Sequence, residues 1–174
     1  MKHRTFIARE QYKVSCAHMT VFPDGTKERL HGHNYSLALA LDLDRIDLSA
    51  MVPFSPLKQA LGDLCAAWKE RVLLAAHNPF FKIAREDDLE IEFHLCGDRY
   101  VLPKSDVLLV PCDNISVEAL AVLVAARLRG TIVQLSPHIL GFEVTMGRAP
   151  WSGSDLYRLA AVTDGTCAPD LRRA

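Results

Sequence analysis

The most regular pattern in the chain spans residues 34–44, which read NYSLALALDLD. Apolar side chains occupy every second position of this stretch, namely Tyr35, Leu37, Leu39, Leu41 and Leu43. Because neighbouring side chains of a strand point to opposite faces, this alternation predicts a β-strand with one apolar face. Such a strand is typical of an antiparallel sheet that carries helices on one side.

The residues before this strand predict a second strand and a turn. Residues 5–19 contain apolar side chains and few residues that break extended structure, so they favour a strand. Residues 21–29 include Pro23, Asp24 and Gly25, which are turn-forming residues. The two strands could therefore pair as a hairpin.

The residues after the regular strand predict two amphipathic helices, at residues 56–72 and 113–128, because apolar side chains recur there at helical spacing. Ser55 is the expected N-cap of the first helix, with Pro56 at the first helical position. Ser116 is the expected N-cap of the second helix.

Two further segments favour extended structure. Residues 89–102 alternate around residues 97–98 and predict a β-hairpin, and residues 131–146 predict one or two strands. The order of strand, strand, helix, hairpin, helix and strand predicts an α+β fold with an antiparallel sheet. We expect a single domain over residues 1–162 and a frayed tail over residues 163–174.

The composition excludes several classes of protein. The chain has 174 residues, of which 49% are hydrophobic and 24% are charged, as in a globular domain. With 20 basic and 21 acidic residues the formal net charge is -1, so no overall basic field is available to bind nucleic acid. No apolar run reaches the roughly 18 residues of a membrane-spanning helix, and the first residues lack the apolar core of a secretory signal. We therefore expect a cytoplasmic protein without a membrane or nucleic-acid partner.

Histidines give the strongest indication of a site. The five cysteines are widely spaced and form no C-x-x-C pair, so a bound metal would need histidine ligands. His31 and His33 flank Gly32, and side chains two residues apart in extended structure point to the same face. His18 ends the preceding predicted strand and would lie beside them in a hairpin. Three imidazoles with one open position are typical of a catalytic zinc site, although an isolated H-x-H pair also occurs by chance.

Four stretches of the sequence carry a family resemblance. They are VSCAH at residues 14–18, RLHGHNY at residues 29–35, MVPF with a following LK between residues 51 and 58, and NISVEALA at residues 114–121. Together they resemble the 6-pyruvoyl-tetrahydropterin synthase and 6-carboxy-tetrahydropterin synthase family. The hairpin region, about residues 86–104, resembles an insertion carried by longer members.

The resemblance implies a T-fold, in which an antiparallel sheet carries two helices on one face. Subunits of this fold join their sheets into barrels, so a homo-oligomer is implied, commonly a hexamer. The implied activity is that of a zinc-dependent lyase acting on 7,8-dihydroneopterin triphosphate or a related compound. His18, His31 and His33 would hold the zinc, and Ser116 and Glu118 would bind the pterin.

Several positions depart from the family pattern. Lys27 stands where the family has a catalytic Cys, and Ala76 replaces the Asp of an Asp-His pair of which His77 remains. One branch of the family uses Glu in E-x-x-H-G-H, and Glu28 fits that string. Glu28, Lys27 and His77 are therefore the candidate catalytic residues. The alternative for Lys27 and Glu28 is that both are solvated loop charges.

Arg148 replaces the family's Glu that accepts hydrogen bonds from the pterin ring. A guanidinium carries only donors, so Arg148 favours a carboxylate, a phosphate or a carbonyl edge. Either Glu118 alone anchors a pterin, or the substrate is not a simple pterin, or Arg148 pairs with Glu118 or Asp155. We expect a zinc-dependent, pterin-synthase-like lyase; the alternative is a diverged zinc-binding member with another substrate or little catalysis.

Overall fold

The regular leucine strand lies in the larger of two sheets in the computed structural model, which describes residues 2–148 and 156–163. Along the chain the elements are β1 (His3–His18), β2 (His31–Leu43), α1 (Ser55–Trp68), β3 (Val72–Ala75), β4 (Phe81–Glu86), β5 (Glu90–Leu95), β6 (Asp98–Pro103), β7 (Val107–Val110), α2 (Val117–Leu135), β8 (Ile139–Arg148) and β9 (Leu156–Val162).

The larger sheet has six strands in the order β7-β3-β1-β2-β8-β9. β2 pairs antiparallel with β1 and β8, and β9 pairs antiparallel with β8. β3 instead pairs in parallel with β1 and β7, so this edge of the sheet is not antiparallel as expected. Neither β3 nor β7 was predicted, because strands that read VLLA and VLLV are too short and too uniformly apolar to show a period.

The first predicted helix forms, but with different ends. The N-cap of α1 is Phe54, not Ser55, and no side chain caps its first turn. The helix ends at Trp68, before the predicted end, and the chain turns at Glu70, which has a left-handed φ of 58°. This turn leads directly into β3, which starts at Val72.

The second helix is longer than predicted. Ser116 is its N-cap as expected, because the Ser116 hydroxyl accepts a hydrogen bond from the Ala119 N–H at 3.3 Å. α2 then continues into residues that were expected to be extended, and the strand begins only at Ile139. The reason is a buried row at every fourth residue of the helix, formed by Leu120, Val124, Leu128 and Ile132.

Both helices contact each other and pack on the apolar face of the larger sheet. Leu37, Leu39 and Leu41 of β2 are at most 2% exposed and lie in one core with Leu57 and Leu61 of α1 and with the buried row of α2. The predicted α+β class, with two helices on one face of a sheet, is therefore confirmed.

Residues 81–103 form a second, three-stranded sheet with the order β4-β5-β6, which we name the inserted sheet. The predicted hairpin is β5 and β6, and its turn lies at Cys96 and Gly97, one residue earlier than expected. These two residues have positive φ values of 52° and 86°, as the central residues of a type I′ hairpin turn do. β4 was not predicted, because only Phe81 and Ile83 give it a strand pattern.

Two of the sequence predictions concern residues that the structure does not describe. They are the possible pairing of Arg148 with Asp155 and the part of the expected tail at residues 164–174.

Within the residues that are described, neither helix combines the length and apolar character needed to cross a bilayer.

Candidate metal centre and adjoining cavity

The end of β1 and the start of β2 bring three histidines together. The register of this antiparallel pair sets His18 opposite His31 and Cys16 opposite His33. One ring nitrogen from each of the three histidines can be chosen so that all three lie within 4.8 Å of one another. The predicted meeting of His18 with His31 and His33 is therefore confirmed.

Hydrogen bonding orients the His31 ring. Its Nδ1 lies 2.7 Å from the carbonyl oxygen of Arg29, and a carbonyl can only accept, so Nδ1 carries the proton. The His31 Nε2 is then left with a lone pair and lies 3.1 Å from the Nε2 of His33. A histidine ring whose Nδ1–H is held by a backbone carbonyl is oriented for metal binding through Nε2.

His18 is the buried member of the cluster, with 3% of its surface exposed. Its Nε2 lies 3.1 Å from the Tyr35 hydroxyl, while its Nδ1 is buried and has no hydrogen-bond partner among the described residues. Burial, and then the nearby His31 and His33, lower the pKa of His18 to about 4, so the neutral ring is favoured. Neutral imidazoles are the form that binds a metal ion.

The donor set fits a transition-metal ion such as zinc. One ring nitrogen of each of the three histidines lies within reach of a shared cation, and three histidine ligands leave further coordination positions open. His18, His31 and His33 are the residues that could hold the ion.

A cavity of about 250 Å³ adjoins the cluster. It is lined by His18, Thr20, Glu28, Tyr35, Ser116, Val117, Glu118, Arg148, Leu156 and Tyr157. The lining comes from the end of β1, the β1–β2 loop, β2, the first turn of α2, the end of β8 and the start of β9. The predicted residues Glu28, Ser116, Glu118 and Arg148 therefore share one cavity with His18.

Glu28 lies beside the histidine cluster, with its Oε2 3.8 Å from the Nε2 of His31. A hydrogen bond with the side chain of Thr20 holds the pKa of Glu28 below its usual range. Glu28 is thus ionised at neutral pH and faces the cavity. An ionised carboxylate can accept a proton or a hydrogen bond there.

Lys27 lies apart from the cavity. Its Nζ is 2.9 Å from the Oδ2 of Asp98 and 5.3 Å from the centroid of the Tyr100 ring. Interaction with Tyr100, and then with Asp98, raises the pKa of Lys27. A lysine base needs a lowered pKa, so this environment works against that role.

His77 follows β3 and is exposed. Its backbone N–H donates to the carbonyl oxygen of Cys112 at 3.0 Å, and the residue is not part of the cavity lining. Of the three candidate catalytic residues, the cavity of the single chain contains Glu28.

The sequence analysis missed two residues that support the site. Tyr35 follows His33 by two residues, so its position on the same face of β2 could have been predicted from the strand period. Asn114 holds the β1–β2 loop: its side chain accepts from the Val21 N–H at 3.0 Å and donates to the Val21 carbonyl at 2.9 Å. That contact joins positions far apart in the sequence, and no local pattern signals it.

Comparison with known proteins gives the family. The family model described as 6-pyruvoyl tetrahydropterin synthase matches residues 7–147. The chain therefore belongs to the 6-pyruvoyl tetrahydropterin synthase family. No curated protein sequence matches it.

Solved structures confirm the fold. The 6-pyruvoyl tetrahydropterin synthase of Plasmodium vivax matches with a TM-score of 0.80 at 22% identity, over 93% of this chain and 99% of that chain. The Plasmodium falciparum enzyme matches with a TM-score of 0.80 at 20% identity, over 92% and 98% of the two chains. A P. vivax structure described as a catalytic residue mutant, with alanine in place of a glutamate, matches with a TM-score of 0.79 at 21% identity, over 93% and 99%. Family and fold together support a pterin-synthase-like lyase.

We expect Asn114→Ala to lower the free energy of unfolding by about 1–3 kcal/mol, because both the N–H and the carbonyl of Val21 lose a partner. Urea denaturation followed by circular dichroism measures the change. The matched control is Asn34→Ala, at an exposed position of β2. Equal effects of the two substitutions would contradict a holding role for Asn114.

Proposed function

We propose that the protein is a zinc-dependent, lyase-type enzyme that acts on 7,8-dihydroneopterin triphosphate or a related compound. The observation that carries the proposal is the cavity: His18 of the three-histidine cluster, the ionised Glu28 and the first turn of α2 line one space. Family membership supports the pterin class of substrate.

In this proposal His18, His31 and His33 hold one zinc ion. When bound, zinc would polarise a hydroxyl of the substrate side chain and acidify the neighbouring C–H bond. The chain's own part is to orient the His31 ring through the Arg29 carbonyl and to favour the neutral form of His18 by burying it.

Glu28 is the proposed proton acceptor. It is the cavity glutamate that stands next to the cluster, and its ionised form is favoured. Two structures of the P. vivax relative are described as catalytic residue mutants in which a glutamate was replaced by alanine or by cysteine. This description supports a glutamate as the catalytic residue of this chain as well. The proposal assigns no step to Lys27 or His77.

Ser116, Glu118 and Arg148 are the proposed substrate-binding residues. The Glu118 carboxylate can accept hydrogen bonds from the amino group and ring N–H of a pterin. Arg148 cannot, but it can bind an anionic or carbonyl group of the substrate. The cavity therefore offers one acceptor and one donor group away from the histidines.

The second candidate function is that of a diverged zinc-binding member with a different substrate or little catalysis. Arg148 favours it, because this cation lines the cavity at the position of the pterin-anchoring glutamate in the family resemblance. A compound with a carboxylate or phosphate at that point would suit the cavity better than an unmodified pterin ring.

We also propose a homo-oligomer in the cytoplasm, a hexamer or another barrel-type assembly. The described sheet ends in β7 and β9, each with an exposed apolar residue, Leu109 at 37% and Val162 at 40%. Exposed edge strands are templates for pairing with another chain.

We expect the purified protein to hold one zinc ion per chain and His31→Ala to lose it, since two imidazoles bind zinc much less tightly than three. Elemental analysis measures the zinc, and circular dichroism checks that the fold is kept. His94→Ala, which removes a histidine from the inserted sheet, should retain the metal. Full zinc occupancy in His31→Ala would overturn the assignment.

Glu28→Gln should lower kcat on dihydroneopterin triphosphate by about a hundredfold or more, because the amide cannot accept a proton. The zinc content should stay at the parental level. Glu10→Gln is the control, since the Glu10 side chain is 92% exposed. Turnover by Glu28→Gln at the parental rate would remove Glu28 from the mechanism.

If the cavity binds an anionic substrate, as the second candidate function states, the carboxylate in Arg148→Glu should restore a hydrogen-bond acceptor for the pterin. Pterin binding should then improve by more than about tenfold. Calorimetric titration with 7,8-dihydroneopterin measures the affinity. Arg158→Glu on the neighbouring strand β9 makes the same charge change at an exposed position. Equal affinities of the two variants would decide against the second candidate function.

Light scattering should report a particle several times the mass of one chain at micromolar concentration. Leu109→Lys should shift it toward smaller species, because a charge on an edge strand opposes pairing. A parental protein that stays monomeric would contradict the proposed assembly.

A further inference from the structure

The loop between β1 and β2 carries Glu28, so the position of the glutamate depends on what holds this loop. Val21 and Lys27 form an antiparallel bridge across the loop, and the Glu28 N–H donates to the Thr20 carbonyl at 2.9 Å. Asn114, just before α2, holds Val21 from one side. The inserted sheet lies against the loop as well.

Apolar contact joins the loop to the inserted sheet. Met19 and Val21 belong to the same buried cluster as Ile91, Phe93 and Leu95 of β5. A second contact is at the turn of the loop, where Gly25 has a left-handed φ of 82°. A Cβ atom at Gly25 would lie 3.1 Å from the ring of Phe80. The loop and the segment that opens the inserted sheet therefore touch closely.

Lys27 makes the polar contact between the β1–β2 loop and the inserted sheet. Only 10% of its side chain is exposed, and its ammonium group meets the Asp98 carboxylate at 2.9 Å and the Tyr100 ring at 5.3 Å. Asp98 opens β6 and is itself 67% exposed, so the charge pair lies at the tip of the inserted sheet. The Lys27 side chain is thus enclosed, and Asp98 and Tyr100 hold its ammonium group in place.

Lys27 and Glu28 are consecutive residues of this loop, and their side chains lie on opposite sides of it. Side chains of consecutive residues in extended backbone point in opposite directions. Lys27 contacts the inserted sheet, and Glu28 faces the cavity and His31. Fixing the Lys27 side chain therefore fixes the backbone that presents the carboxylate of Glu28.

We propose that Lys27 is a positioning residue: through Asp98 and Tyr100 it fastens the β1–β2 loop to the inserted sheet, which holds the Glu28 carboxylate beside His31. The role of Glu28 as proton acceptor rests on the proposed function above. Lys27 itself touches no reacting atom, and its ammonium group stays protonated throughout.

The first test measures the loop without any substrate. Hydrogen–deuterium exchange of peptides covering residues 19–30 is compared between Lys27→Met and Lys104→Met. Lys104, which directly follows β6, pairs with Glu86 of β4 at 3.0 Å, so its variant removes the same charge without touching the loop. Exchange in the loop should rise about tenfold or more in Lys27→Met alone, because the Glu28 N–H then opens more often. Unchanged protection in Lys27→Met would overturn the proposal.

The second test is kinetic, with dihydroneopterin triphosphate as substrate. Lys27→Met should lower kcat by about tenfold to a hundredfold with KM within about twofold, because a displaced reacting group loses rate more than binding. Lys27→Arg keeps the ion pair with Asp98 and should recover most of the rate. Zinc content should equal that of the parent in every variant.

A double substitution distinguishes a positioning role of Lys27 from a nonspecific disruption of the enzyme. In the Glu28→Gln background, Lys27→Met should cause little further loss, because no carboxylate remains to be positioned. If Lys27→Met lowers kcat as much in the Glu28→Gln background as in the parent, the proposal for Lys27 is overturned. The role proposed for Glu28 would not be affected by that result. A parental enzyme inert toward the substrate, or an active Glu28→Gln variant, would instead overturn the proposed function, and exchange in the loop would still decide whether Lys27 fastens it.

Discussion

The register between β1 and β2 is the constraint on which the rest of the structure depends. It sets His18 opposite His31 in the part of the pair from Lys13 to His18, which an irregularity in β1 separates from the part that pairs with Leu39 and Leu41. Leu37, Leu39 and Leu41 face the helices, and a slip by one residue would turn every side chain of β2 to the other face and bury polar ones in the core. Because side chains of β2 alternate between its two faces, His31 and His33 lie on the face of these leucines.

Sequence patterns predicted those parts of the site that depend on residues close together in the chain. The H-x-H spacing, the position of His18 at a strand end and the cap at Ser116 all depend on neighbours within a few residues. The contacts of Lys27 with residues 98 and 100 could not be predicted in this way, because they cross from one sheet to another. The place of Arg148 in the cavity likewise depends on its pairing with Tyr35, which joins β8 to β2, two strands that are separated in the chain by both helices and by β3 to β7.

The cavity combines groups of unlike character within a small space. The histidine cluster borders it through His18, the ionised Glu28 stands beside that cluster, and Glu118 and Arg148 also line it. Under the proposed function, a substrate would present an oxygen ligand toward the histidines, a hydrogen-bond acceptor toward Arg148 and a donor toward Glu118. Sites that match donors and acceptors in this way select against compounds lacking either group, because an unpaired buried polar group is costly.

The inserted sheet is packed into the main body of the fold. Its apolar residues Ile91, Phe93 and Leu95 do not form a self-contained core, but close a cluster with Met19 and Leu74 of the main body. The segment is therefore not a portable module, because on another protein it would lack these packing partners. Deleting it from this chain would expose Met19 and Leu74 to water, so a shortened chain would need compensating changes at both residues.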